Sequence, residues 1–280
     1  MTAVVNVVVA LGMLVIVPLG LRLLPVAGGS RLARLYPAFA VPGAVCLWLP
    51  RGALSTTLAA SYAVGTLLLV ALAARHVSNC LRHKVFRASD AAAITALVCP
   101  AIAAFALVSE RASTEVFGFS LTILALTVPH FHYAGFAAAL VAHLVATAHP
   151  SAATTTAAWS VPAGTMVVLL GYFVNDEVEL LGAVILTAGM WLVGWTLWTG
   201  ARAQTRDPRT RLLLGTSAAT LVLTMVLALD WALGHVVDAV PHLPLVWMAW
   251  THGLANAVGF ALCALVAFSR TTRRTAREAA

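Results

Sequence analysis

The chain has 280 residues, 61% of them hydrophobic and 10% charged, and a formal net charge of +7. A soluble domain carries about 25% charged residues, so a water-soluble globule of this size could not cover its surface. Ordinary glycine and proline counts, 19 and 12, exclude a disordered or fibrous chain. The composition therefore predicts an all-α, polytopic transmembrane helix bundle, and the basic excess reads as membrane topology in preference to nucleic-acid binding.

A membrane-crossing helix needs about 20 mostly apolar residues. The first predicted span covers residues 2–24, with Asn6 and Pro18 inside it. It is too long for a signal peptide and lacks the small-residue cleavage pattern. The second, 36–50, is short and carries Pro42; the third covers 54–74. A basic loop with Arg75, His76, Arg82, His83, Lys84 and Arg87 follows, and the fourth span, 91–108, ends at Glu110 and Arg111. The fifth, 116–147, is long enough that it must tilt or break, and Pro129 is the natural place. The sixth is 152–173, closed by Asp176, Glu177 and Glu179, and the seventh is 180–199. Arg202, Arg206, Arg209 and Arg211 precede the eighth, 212–233, and the ninth, 245–268, runs into a basic tail. Residues 1–270 read as one transmembrane domain and 271–280 as a cytoplasmic tail. Gly182, Gly189, Gly253 and Gly259 leave room for close helix packing. Cys46, Cys80, Cys99 and Cys263 are far apart and imply no disulfide or metal framework.

Nine alternating spans with the N-terminus outside put 15 of the 17 basic residues on the cytoplasmic side, leaving only Arg51 and Arg111 outside. That asymmetry is what the positive-inside rule expects of a multi-pass cell-membrane protein with a cytoplasmic C-terminus. The acids sort the other way. Glu110, Glu115, Asp176, Glu177, Glu179 and Asp238 fall at the outer end, and Asp230 lies just inside the eighth span.

Ionisable groups within a span are costly and usually mark function, which makes the outer half the place to search. Asp230, followed by Trp231 and then His235, is a candidate general acid in a poorly hydrated position; pairing with Arg111 or a histidine is the structural alternative. Asp176 or Glu177 can take the same role if one turns into the bundle mouth instead of facing solvent. His130 and His132 lie midway along the fifth span beside Tyr133, and either can lock helices together through a backbone carbonyl. A metal there is disfavoured, because His-x-His on a helix splays the rings by roughly 200°. His252 and Asn256, four apart, share a helix face and can hold a substrate, orient an acid or clasp two helices. Trp231, Trp247 and Trp250 offer aromatic faces near the acids, suited to stabilising a cation. Trp191, Trp195 and Trp198 form a separate stripe that reads as packing or an interfacial belt. There is no P-loop, GxSxG, HExxH or DDxxD motif.

The segments PHFHYAGF (129–136) and THGLANAVGF (251–260) resemble the YndJ-like bacterial membrane proteins, whose pattern includes an HFHYAGF segment in one helix and HGxxNAxGF in the last. His130, His132, Tyr133 and Gly135 match the first; His252, Gly253, Asn256 and Gly259 match the second. Many members of that family are labelled transporters. Some similar actinobacterial membrane proteins act as type II terpene cyclases in indole-terpenoid or diketopiperazine-terpenoid pathways. The resemblance thus implies a cyclase that protonates an alkene or epoxide of a lipophilic prenylated substrate, without metal or other cofactor. Asp230, Asp176 or Glu177 would then be the acid, and His130, His132 or His252 an orienting partner or final base. Two other readings stand beside it: a secondary transporter whose acids and histidines relay protons, and a lipid-binding or assembly factor.

Overall fold

The computed structural model describes residues 2–24, 26, 28–237 and 239–278, and of residues 2, 30 and 275–278 only the backbone. Asp238, counted above among the outer acids, and the last two residues of the tail lie outside the described residues. Eight helices are long and apolar enough to cross a membrane: α1 (Ala3–Leu23), α4 (Ala53–His83), α5 (Ala88–Arg111), α6 (Leu121–Ala148), α7 (Ala152–Val174), α8 (Asp176–Gln204), α9 (Pro208–Val236) and α10 (Leu245–Arg274). Between α1 and α4 lie the shorter α2 (Gly29–Leu35) and α3 (Pro37–Cys46). The protein is an all-α polytopic membrane bundle. No strand occurs among the described residues.

The contacts divide the chain into two compact units, residues 1–86 with 93–137, and residues 87–92 with 138–280. In the first, α2 packs on the end of α1 and α3 on its middle. The Asn6 amide donates to the Leu47 carbonyl at 2.8 Å. The pair α2–α3 thus brings the chain back to the level at which α1 began, in two pieces joined at Tyr36. The second predicted span is thus observed as a helix pair that starts seven residues earlier than its apolar run, on a turn that carries Arg31 and Arg34, and neither helix is by itself long enough to cross a membrane. At that level Glu110, 2% exposed, is clamped by Arg111 and by Arg51 Nε at 2.8 Å. Arg111 Nη1 also donates to the carbonyls of Cys46 and Leu49 at 3.3 and 3.2 Å, so the 47–52 turn is pinned by buried charge.

In the second unit, α7 and α8 approach backbone to backbone. A Cβ on Gly164 would strike the Leu186 backbone, one on Gly171 the Glu179 backbone, and one on Gly182 the Val168 backbone; Gly189 lies against Ser160 and Val161. Two glycines seven apart on each helix keep one face free of side chains, which permits this approach. Gly259 instead meets the side chain of Thr220 on α9, whereas Gly253 has no close neighbour beyond the Met248 carbonyl at 3.8 Å. Asp207 caps α9 and binds Arg270 near the end of α10 at 2.7 Å.

The helix through Pro129 does not break. A proline removes one backbone donor and crowds the preceding turn, and α6 absorbs this by widening to a π-helical stretch at Phe131–Ala137. α1 widens at Gly12–Ile16 and packs there against the widened part of α6.

Candidate functional site

In the first unit His132 is fully buried. Its Nδ1 lies 2.7 Å from the Val128 carbonyl, which can only accept, so Nδ1 carries the hydrogen and Nε2 is left as an acceptor. The Tyr62 hydroxyl donates to that Nε2 at 2.5 Å, and Tyr36 donates to Tyr62 at 3.1 Å. The imidazole fits here because Gly12 lies flat against it; a Cβ on Gly12 would stand 3.0 Å from the ring. Tyr133 donates to the Val8 carbonyl at 2.8 Å, and Gly135 lets Cys99 approach. His130 stands elsewhere on the helix, edge-on to Phe131 with 5.4 Å between ring centroids. The two histidines therefore splay, as the sequence predicts of His-x-His. Every hydrogen-bonding atom of His132 and the Tyr133 hydroxyl have a partner inside the helix assembly, so these side chains act as clasps. Tyr36 and Tyr62 were missed by the sequence reading; the available signal was a hydroxyl within an apolar run, which must find a partner once buried.

In the second unit His252 repeats the same logic. Its Nδ1 donates to the Thr224 carbonyl at 2.8 Å, and its Nε2 accepts from the Asn256 amide at 3.3 Å. The Asn256 carbonyl oxygen in turn accepts from Thr224 Oγ1 at 3.0 Å, and Ser217 donates to the Phe260 carbonyl at 3.1 Å. Of the three uses the sequence allowed for His252 and Asn256, the structure builds the helix clasp.

The acids separate sharply. Asp176 and Glu177 are exposed in the first turn of α8, where negative charge suits the helix N-terminus, and neither turns into the bundle mouth. Glu179 is the member of that run that turns inward. It lies at the α7 contact through Gly171 and interacts electrostatically with His235 and Tyr172. Its three-residue step to Gly182 and seven-residue step to Leu186 place it on the packing face, a signal the sequence already contained.

Asp230 is half-buried and makes no hydrogen bond or ion pair among the described residues. Arg111, its possible partner on sequence grounds, is engaged by Glu110 instead. On α9, Leu223, Leu227 and Asp230 follow at helical spacing on one face, and Leu223 and Leu227 line an open apolar groove of about 520 Å³. Trp250, Thr251, Leu254, Ala255 and Val258 of α10 form the opposite wall, and Thr224 contributes the polar patch. Asp230 stands about 4.5 Å further along the axis than Leu227. A helical side chain leans toward the helix N-terminus, so the carboxyl inclines toward the groove. Beyond it Trp231, His235 and His242 cluster, with ring centroids 4.7 to 5.2 Å apart, and His242 packs against Gly234. Trp247 is 59% exposed and does not line the groove. The expected aromatic wall is thus split, with Trp250 in the groove and Trp231 among the histidines.

A family model described as YndJ-like protein matches residues 7–260 and spans both signature segments. The chain belongs to the YndJ-like family. Neither a curated protein nor a solved structure matches it. In this YndJ-like protein both signature segments hold helices together through a neutral histidine whose Nδ1 donates to a carbonyl. The groove below Asp230 is lined by less distinctive residues.

Proposed function

We propose that this YndJ-like protein is a membrane-bound type II cyclase that initiates ring closure of a lipophilic prenylated substrate by protonation, with Asp230 as the acid. The observation that carries this reading is a half-buried carboxyl without a partner among the described residues, at the end of an apolar groove. A groove of about 520 Å³ falls within the roughly 300–1,000 Å³ of small-molecule sites. Its open side admits a greasy chain laterally. In the proposed reaction the acid form of Asp230 gives its proton to a substrate alkene or epoxide. The π electrons form the new C–H bond, or the epoxide C–O bond breaks, and the positive charge passes to carbon. Attack by the next alkene closes a ring, and the Trp250 face stabilises the travelling charge. Loss of a proton from the carbon beside the last cation restores an alkene. His235 takes that proton: its Nδ1 donates to the Trp231 carbonyl at 2.8 Å, which leaves Nε2 as the accepting nitrogen, and it interacts electrostatically with Glu179. Substrate and product are isomers, and the steps require no cofactor.

Membranes containing the protein, incubated with prenylated indole or diketopiperazine substrates, should yield isobaric cyclised products. Asp230→Asn should lower turnover by about 10²–10⁴-fold, the usual contribution of a general acid, with expression unchanged. An active Asp230→Asn would move the acid to Glu179. No cyclised product from the native chain, together with solute uptake by proteoliposomes, would replace this reading with proton-coupled transport.

A further inference from the structure

A second open groove lies on the α8–α9 face. Its volume is about 570 Å³, and Trp191, Trp195 and Trp198 of α8 form one wall while Ala218, Leu221 and Val222 of α9 form the other. Gly194 deepens it, since no side chain fills the space between α8 and Leu221. The tryptophans are 42%, 64% and 46% exposed, so the stripe is neither core nor fully packed. One turn beyond, the Arg202 guanidinium lies 4.1 Å above the Trp198 ring. Gly215 of α9 leaves it room: a Cβ there would come within 3.2 Å of Nε. Arg202 forms no ion pair with a carboxylate among the described residues. The Arg202 guanidinium is thus the charge placed at this end of the groove.

An apolar trough walled by flat rings and ending in a guanidinium has the two halves of a complement to one ligand class. The rings suit a hydrocarbon chain, and the guanidinium, already aligned on a ring face, keeps its outward N–H donors for a phosphate. We infer that this groove is a binding site for a phosphate-headed lipid, with its chain along Trp191, Trp195 and Trp198 and its phosphate on Arg202. Zwitterionic lipids fill the trough less well because the choline cation meets the same basic end. The site is independent of the groove at Asp230. The occupant is a phospholipid of the surrounding bilayer, which an open trough ending in a guanidinium admits from the side.

The test is native mass spectrometry of the detergent-purified full chain titrated separately with phosphatidylglycerol, phosphatidylcholine and farnesyl diphosphate. Tighter retention of phosphatidylglycerol than phosphatidylcholine, falling about tenfold in Arg202→Ala and less in Arg202→Lys, is the expected result for a bilayer lipid. The same pattern with farnesyl diphosphate alone overturns the assignment to a bilayer lipid. Trp195→Leu, a change on an exposed position, should weaken retention without altering the preference between headgroups. Equal retention of all three ligands by the native chain, or an Arg202→Ala chain that keeps its preference, overturns the assignment.

Discussion

Glu110 separates the contributions of buried and exposed charge on a single carboxylate. Arg111 is 8% exposed and binds it while holding two turn carbonyls, whereas the side chain of Arg51 is 46% exposed. Removing one partner of a buried pair leaves an uncompensated charge and costs about 3–5 kcal/mol, while an exposed pair contributes about 0–1 kcal/mol. Glu110→Gln should therefore destabilise the protein in detergent far more than Arg51→Ala, as read by thermal unfolding. Equal losses would show that the cluster is solvated. Tyr62→Phe removes the only donor that reaches His132 Nε2 in the described structure and should cost about 1–3 kcal/mol, the penalty for an unsatisfied buried acceptor. Asp207 titrates outside the spans. Hydrogen bonds from Thr210 first, then from Arg270, hold its carboxyl well below the usual carboxylate range. A depressed folded value means that its stabilisation is present above the unfolded value of about 3.9 and is lost as pH falls through the depressed one. Hydrogen-exchange protection near Arg270, taken relative to the unstructured rate at the same pH, should accordingly fall on acidification below about pH 4, and Asp207→Asn should remove that dependence. The effect is small, because solvent reaches both side chains.

Helix positions were legible in the sequence because apolar runs mark the hydrocarbon crossing, but helix ends were not. The third predicted span ends at residue 74, yet α4 continues to His83. Backbone hydrogen bonding does not stop at the hydrocarbon boundary, and Arg75 and Arg82 can reach water from a continuing helix. Packing faces were partly readable. Gly182 and Gly189 were visible as small residues, and the structure adds Gly164 and Gly171 as their counterparts on α7. Gly182→Val places a branched side chain where the Val168 backbone lies, which should cost at least about 1–3 kcal/mol and lower yield and melting temperature. Gly253→Ala, at a position with no close neighbour beyond one carbonyl, is the matched control and should be near neutral. Similar losses from both would remove the close-packing argument.

Across the whole chain, the nine crossings read from the sequence would put 15 of 17 basic residues on one side. The positive-inside rule predicts that this side is cytoplasmic. A C-terminal fluorescent-protein fusion should therefore fluoresce, while a cysteine introduced before Ala3 should react with an impermeant thiol reagent on intact cells; the opposite pair of results would invert the topology. The sequence by itself determined the membrane environment, the all-α class and the family, because each follows from composition and local pattern. It also drew attention to the signature histidines, which the structure uses as helix clasps. Only tertiary structure could decide between clasp and site, since a histidine's role depends on which carbonyl meets Nδ1 and which donor meets Nε2, and those groups lie up to 70 residues away. The same holds for the carboxylates. Asp176 and Glu177 are exposed, Glu179 turns toward His235, and Asp230 stands above an apolar groove without a partner among the described residues, because helix packing sets which direction each face looks.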